Sequence, residues 1–164
     1  MKITTIGPEG LKLISDFEGF SSEPYLCPSS VPTIGIGTTR YFDTKKRVTL
    51  NDPPIDHAEA VRLLQGDIDT IYAPLVDKLC RDDLKQHEFD GLCSFIYNAG
   101  ATYRGKDGKN HYYNLFDHVN NHMPIGELIK YWCKLAVTGN SKVLAGLVRR
   151  RKYEAGLFVR AKIK

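Results

Sequence analysis

The sequence predicts an α+β fold, mainly helical, in which a small lobe with an antiparallel sheet joins a larger helical lobe. Three observations point there. A short amphipathic helix opens the chain, a stretch punctuated by Pro and Gly follows over 21–50, and from Asp56 onward apolar residues recur at helical spacing. With 164 residues, 42% of them hydrophobic, the chain can bury a packed core and is too apolar for disorder. We expect a single domain over 1–164, with the small lobe over about 14–60 and the helical lobe built from about 61–164 plus the first helix.

Residues 9–20 read as the first helix. Leu13, Ile14 and Phe17 share a face with Leu11 one turn back, and Gly19 with Ser21 and Ser22 weakens the end. In the next stretch Pro24, Pro28, Pro32, Gly35 and Gly37 separate β-prone runs at Thr33–Ile36, Arg40–Phe42 and Arg47–Leu50. Asp43–Lys46 is the expected hairpin turn between the last two. Asp56 and Glu59 then form a capping pattern, with Asp in place of Ser or Thr. Ala60, Leu63, Leu64, Ile68, Ile71, Leu75 and Leu79 continue at helical spacing, and Pro74 must kink or split that segment. Residues 82–98 form a helix with Leu84, Phe89, Leu92, Phe95 and Ile96 as its stripe. The polar, Gly-rich residues 101–112 read as an exposed loop, and helices follow over 113–121, 124–135 and 141–160. A cleft between two lobes is a common place for a substrate site.

Composition excludes several classes. A net charge of +4, from 23 Lys and Arg against 19 Asp and Glu, is too mild for a dedicated nucleic-acid binder. It suits an anionic polymer surface such as a bacterial envelope, and equally a protein kept soluble by its charge. The four cysteines, Cys27, Cys80, Cys93 and Cys133, contain no CxxC pair, which removes zinc-ribbon and thioredoxin-type readings. No signal-peptide core or membrane-length apolar run is visible. We therefore expect a monomer made in the cytoplasm, without membrane insertion, that needs delivery to act elsewhere.

Glu18 is the most informative residue. It sits at the edge of an apolar helical face between Phe17 and Phe20, where partial desolvation favours the protonated carboxyl that a general acid for glycosidic cleavage needs. Glu18, Cys27 and Thr33 are separated by eight and five residues, and Thr33 opens the run Thr-Ile-Gly-Ile-Gly ending at Gly37. This segment resembles the active-site segment of the phage-type lysozymes, the endolysins of glycoside hydrolase family 24, in the variant with Cys at the second catalytic position. The likeness extends through Gln86–Gly100, which ends in Asn98-Ala-Gly, and through Gly146–Glu154, which is similar to the family's Gly-Leu-x-x-Arg-Arg-x-x-Glu motif. The loop over 101–112 is longer than usual, and Tyr112-Tyr113-Asn114 stands where a small Ser-Thr pair often precedes the next helix.

The resemblance implies a lysozyme-like fold and a glycosidase that cleaves the β-1,4 bond between N-acetylmuramic acid and N-acetylglucosamine in peptidoglycan strands. It implies Glu18 as proton donor to the leaving oxygen, with Cys27 and Thr33 placing or activating water. Tyr25, Gly35 and Asn98 are the expected substrate contacts, without cofactor or metal. Phage lysis with a holin, or secretion as an antibacterial effector, would deliver such an enzyme to the periplasm or wall.

Other signals are weaker. Arg149–Lys152 is a basic cluster that can meet an anionic polymer or pack against neighbouring elements. His118 and His122, four residues apart, are a possible metal pair without an evident third ligand. Asn98 can cap its helix or contact sugar, and Tyr25, Tyr97, Tyr103, Tyr112 and Trp132 can stack on sugars or serve the core. Cys80, Cys93 and Cys133 fall at or near apolar stripes and are expected to be buried and inert, with one pair able to bridge in an oxidising envelope. Competing readings are a thiol-dependent wall amidase or peptidase using Cys27 and a histidine, a lytic transglycosylase, and a non-catalytic peptidoglycan-binding module.

Overall fold

In the computed structural model, which describes residues 2–139 and 142–160, the N-terminal stripe becomes helix α1 (Pro8–Glu18) with Leu11, Leu13 and Ile14 buried. Pro8 fits the first turn, where its missing N–H is not needed. Gly19, at φ 75°, ends the helix by donating its N–H to the Ser15 carbonyl. No side chain of the adjoining residue caps the start. Instead Asp90, far along the chain, accepts from the N–H groups of Gly7 at 2.8 Å and Gly10 at 3.2 Å.

The β-prone stretch forms one antiparallel pair, β1 (Ser21–Leu26) with β2 (Pro32–Gly35), in which Tyr25 faces Thr33. Strand β1 was not among the expected runs, because Ser21, Ser22 and Glu23 give no apolar alternation and Pro24 interrupts it. The proline falls within a register shift between Ser21 and Tyr25, where the ladder asks less of each N–H. Arg40–Phe42 and Arg47–Leu50 do not become strands. They meet at a single Arg40–Arg47 bridge around the expected turn, which Tyr41 and Lys46 close at 2.9 Å.

Asp56 caps α2 (His57–Asp67) by accepting the Glu59 N–H at 2.8 Å. Pro74 splits the following segment through a π-helical turn, Ile68–Tyr72, which leads into α3 (Ala73–Leu79) with the proline in its first turn. A wider turn leaves the carbonyl four residues before Pro74 without an obligatory partner, which is the condition a proline imposes. Helix α4 (Gln86–Ala99) starts later than residue 82 because Glu88 reaches back to the Lys85 N–H at 2.7 Å and fixes the start there. Every residue from Phe89 to Ile96 is buried, so α4 is a central helix, with α1, α3 and α7 (Ala145–Phe158) packed around it.

The expected loop at 101–112 contains an exposed hairpin, β3 (Thr102–Arg104) with β4 (Asn110–Tyr112), which places Tyr103 opposite His111. Helices α5 (Leu115–Asn120) and α6 (Ile125–Trp132) are shorter than expected, and α6 begins just after Pro124. Residue 141, where the sequence placed the start of the last helix, lies outside the described residues, and α7 follows a short pairing of β5 (Thr138–Gly139) with β6 (Lys142–Val143). Trp132 and Phe95 meet edge to face at 5.9 Å in the core beside Phe158. Among the described residues no helix is long and apolar enough to cross a membrane.

Asp90 therefore fastens α1 to α4. Asp90→Ala strands two buried N–H groups and should lower unfolding free energy by about 2–4 kcal/mol in urea titration, whereas Asp90→Asn should cost less because one acceptor remains.

Candidate active site

Glu18 ends α1 with its side chain 28% exposed, and its Oε1 accepts from Arg150 Nη1 at 2.5 Å. Arg150 comes from α7 and is 5% exposed, lying over the rings of Phe17 at 5.4 Å and Tyr97 at 5.8 Å. Its Nε reaches Oε1 of the fully buried Glu154 at 3.2 Å. Glu154 also accepts from Ser94 Oγ at 2.9 Å and Trp132 Nε1 at 3.3 Å, and pairs with Arg151 Nε at 3.2 Å. Arg151 in turn donates to Asn98 Oδ1 and lies over the Phe95 ring. Two carboxylates and two guanidiniums thus form one chain from cleft to core, Glu18, Arg150, Glu154, Arg151. Burial pushes Glu154 up and Arg151 down, and their attraction opposes both shifts. The middle of the Arg149–Lys152 cluster is therefore structural: Arg150 and Arg151 are buried, and Arg149 lies over Phe17.

The expected environment of Glu18 changes in one respect. The carboxyl faces a guanidinium, a partner that local sequence could not place, as well as its apolar neighbours. It opens into a cavity of about 340 Å³ with Tyr97 and Asn98 from α4, Asp67, Ile71 and Tyr72 from α2 and the π turn, and Gly37, Arg40 and Phe42 from the β-rich segment. Gly37 has φ 76°, and a Cβ there would lie 2.8 Å from Tyr97 Oη, so only glycine leaves the space in front of Glu18 open. Burial and the Glu18 charge both raise the Tyr97 phenol, which keeps it a neutral donor. Burial pushes Asp67 up to about 6, with Lys45 pulling the other way.

Cys27 and Thr33 flank the turn between β1 and β2. Thr33 is buried and its hydroxyl donates to the Val31 carbonyl at 3.0 Å. Hydrogen bonding from the Val31 backbone lowers the Cys27 thiol, helped by Ser29 and by the Thr33 side chain. Burial raises the other three thiols, Cys80 to about 12. Cys27 stands apart as the one thiol shifted toward the thiolate, and all four cysteines are free. The groups that act on it include no imidazole, which leaves a Cys-His pair without support among the described residues.

The remaining expected residues divide. Asn98 reaches the cavity, while the cap of α4 is Gly100, whose N–H meets the Ile96 carbonyl. Gly35 packs under α2, where a Cβ would lie 3.0 Å from Ala60, and Tyr25 stands exposed on β1. Neither they nor Cys27 and Thr33 line the Glu18 cavity. Trp132 is core, and Tyr103 and Tyr112 are exposed on the hairpin. His118 packs edge-on against Tyr131, and among the described residues no three His, Cys, Asp or Glu side chains group to hold a metal. The sequence reading missed Arg150 as the partner of Glu18, although it falls in the C-terminal motif. It missed Asp67, Ile71 and Tyr72 because their meeting depends on the π turn.

Comparison with known proteins bears on the family and the fold. The phage lysozyme family model matches residues 15–154. An endolysin of Acyrthosiphon pisum secondary endosymbiont phage 1 is 30% identical over 153 residues, covering 93% of this chain and 97% of that protein. An endolysin of Bacillus phage B103 is 30% identical over 154 residues, covering 94% of this chain, which spans only 54% of that relative. Among solved structures, an endolysin from Escherichia coli O157:H7 phage FAHEc1 superposes with a TM-score of 0.75 at 26% identity, covering 100% of both chains.

Two outcomes follow from the charges. Glu154→Gln leaves two buried guanidiniums short of a counter-charge and should cost about 3–5 kcal/mol in chemical denaturation, far more than Glu18→Gln at the half-exposed end. Between the ordinary carboxylate value of about 3.9 and about 6, native Asp67 keeps a proton that the unfolded chain has released, so its contribution to stability falls as pH rises. Asp67→Asn should therefore raise the melting temperature at pH 7 and leave it unchanged at pH 4.

Proposed function

The chain belongs to the phage lysozyme family, and on that premise we propose that it is a muramidase that hydrolyses the β-1,4 bond between N-acetylmuramic acid and N-acetylglucosamine in peptidoglycan. The observation that carries this reading is Glu18, a carboxyl at the mouth of a cavity of about 340 Å³, held from behind by Arg150 at 2.5 Å. Glu18 gives its proton to the glycosidic oxygen as the bond to the anomeric carbon breaks. Arg150 keeps the carboxyl aimed into the cleft and stabilises the carboxylate that proton transfer leaves behind. Tyr97, neutral because its phenol is raised, offers a donor on the same wall.

Charge develops at the anomeric carbon, and the opposite face needs a water or a negative group. The family resemblance assigns that part to Cys27 and Thr33, which flank the β1–β2 turn outside the lining of the Glu18 cavity. The thiol sits in a nest of hydrogen bonds from Val31, Ser29 and Thr33, which lowers it and orients the sulfur as an acceptor for water. Asn98 and the Tyr97 wall contact the sugar, and Tyr25 contributes from the exposed face of β1. The protein acts on the wall of a bacterium, in the setting of phage lysis, as a monomer without nucleic acid.

Digestion of purified peptidoglycan tests the reading. Wild-type protein should release reducing muramic ends by mass spectrometry, whereas anhydro ends mark a transglycosylase and new amino groups a peptidase. Glu18→Gln should abolish turbidity loss of cell walls, and persisting lysis removes the central assignment. Cys27→Ala should lose most activity while Cys27→Asp retains it, and a fully active Cys27→Ala reduces the thiol to packing.

A further inference from the structure

One carboxyl in the cleft has no part in the reaction as drawn. Asp67 is the last residue of α2 and lines the same cavity as Glu18. Its side chain makes no hydrogen bond or ion pair among the described residues. Other carboxylates differ in this: Asp69 accepts the Ile6 N–H at 2.9 Å, Asp52 accepts from Tyr41 and Thr49, and Glu88 pairs with Arg81. A partly buried carboxylate without a partner is unfavourable and calls for a ligand that brings hydrogen-bond donors.

The walls around Asp67 say what ligand. Phe42 lies flat against the helix backbone at Gly66, where a Cβ would sit 2.2 Å from the ring, and Arg62 covers that ring at 5.2 Å. Ile71, 51% exposed, and Tyr72 continue the wall through the π turn. Apolar faces beside one carboxylate suit the C–H face and polar edge of a sugar. Lys45 on the facing segment balances the charge, so the position does not call for a cation.

We propose that Asp67 is a specificity residue whose carboxylate accepts hydrogen bonds from the acetamido N–H and a hydroxyl of an N-acetylhexosamine, at a subsite between Phe42 and Tyr72 beside Glu18. The proposal rests on the muramidase reading and names the group that holds the glycan in its cleft. The rise of Asp67 through burial describes the empty cleft, and sugar donors would draw it down again.

Calorimetric titration of the full chain with a β-1,4-linked N-acetylglucosamine tetramer tests it, in a Glu18→Gln background that prevents turnover. Adding Asp67→Asn should weaken binding about tenfold or more, the scale of one charged hydrogen bond. In the Glu18 background the same change should raise KM more than it lowers kcat on soluble peptidoglycan fragments. A melting temperature at neutral pH no lower than that of the parent establishes that the fold is intact. Equal tetramer affinity with and without Asp67→Asn, or a loss confined to kcat, overturns the proposal, and so does a parent that degrades peptidoglycan but does not bind the tetramer. A Glu18→Gln variant that still lyses walls overturns the active-site reading instead, since the binding comparison does not depend on turnover.

Discussion

Arg150 is the residue on which the cleft depends. One guanidinium faces Glu18 at the surface and Glu154 in the core, and the rings of Phe17 and Tyr97 hold it between them. An isolated charge at that depth would be untenable, and the site exists because each buried charge is answered by the next. Four groups alternate in sign, and Ser94 and Trp132 saturate the carboxylate at the buried end. The Glu18 carboxyl is thereby anchored through a core contact and not only through the end of its helix.

That anchor uses the packing of three helices. Asp90 secures the start of α1, Gly19 terminates it one residue after Glu18, and α7 brings Arg150 across α4. The other wall is assembled differently. It comes from the junction of α2 with the π turn, where Pro74 forces a wider backbone and so sets Asp67, Ile71 and Tyr72 along the cavity. A constraint that looks like a fault in a helix, a proline in an apolar repeat, shapes one wall of the cavity.

Local pattern made much of this legible. The stripes of α1, α2 and α4, the Asp56 cap and the burial of Cys80 and Cys93 all follow from spacing. Family resemblance singled out Glu18 and Cys27, and the structure adds that the Cys27 thiol is lowered where the other three are raised. What escaped was non-local or compensated. Strand β1 is polar and contains Pro24, so only its partner β2 reveals it. The hairpin at 102–112 forms in a segment whose Gly and Lys content reads as loop, and Gly105 and Gly108 serve its turn. Arg150 stood in a basic run that could meet an anionic polymer or pack against neighbouring elements, and nothing near it in sequence tells that Glu18 faces it. Asp67 drew no reading from pattern, because the cavity it lines takes Phe42 and Tyr97 from distant stretches of the chain.

The span between the two ends of the charge chain has a temporal meaning. Glu18 and Arg150 are separated by 132 residues, so during synthesis the carboxyl emerges well before the guanidinium that it pairs with. The ion pair that holds Glu18 forms only when the two ends of the fold close on each other.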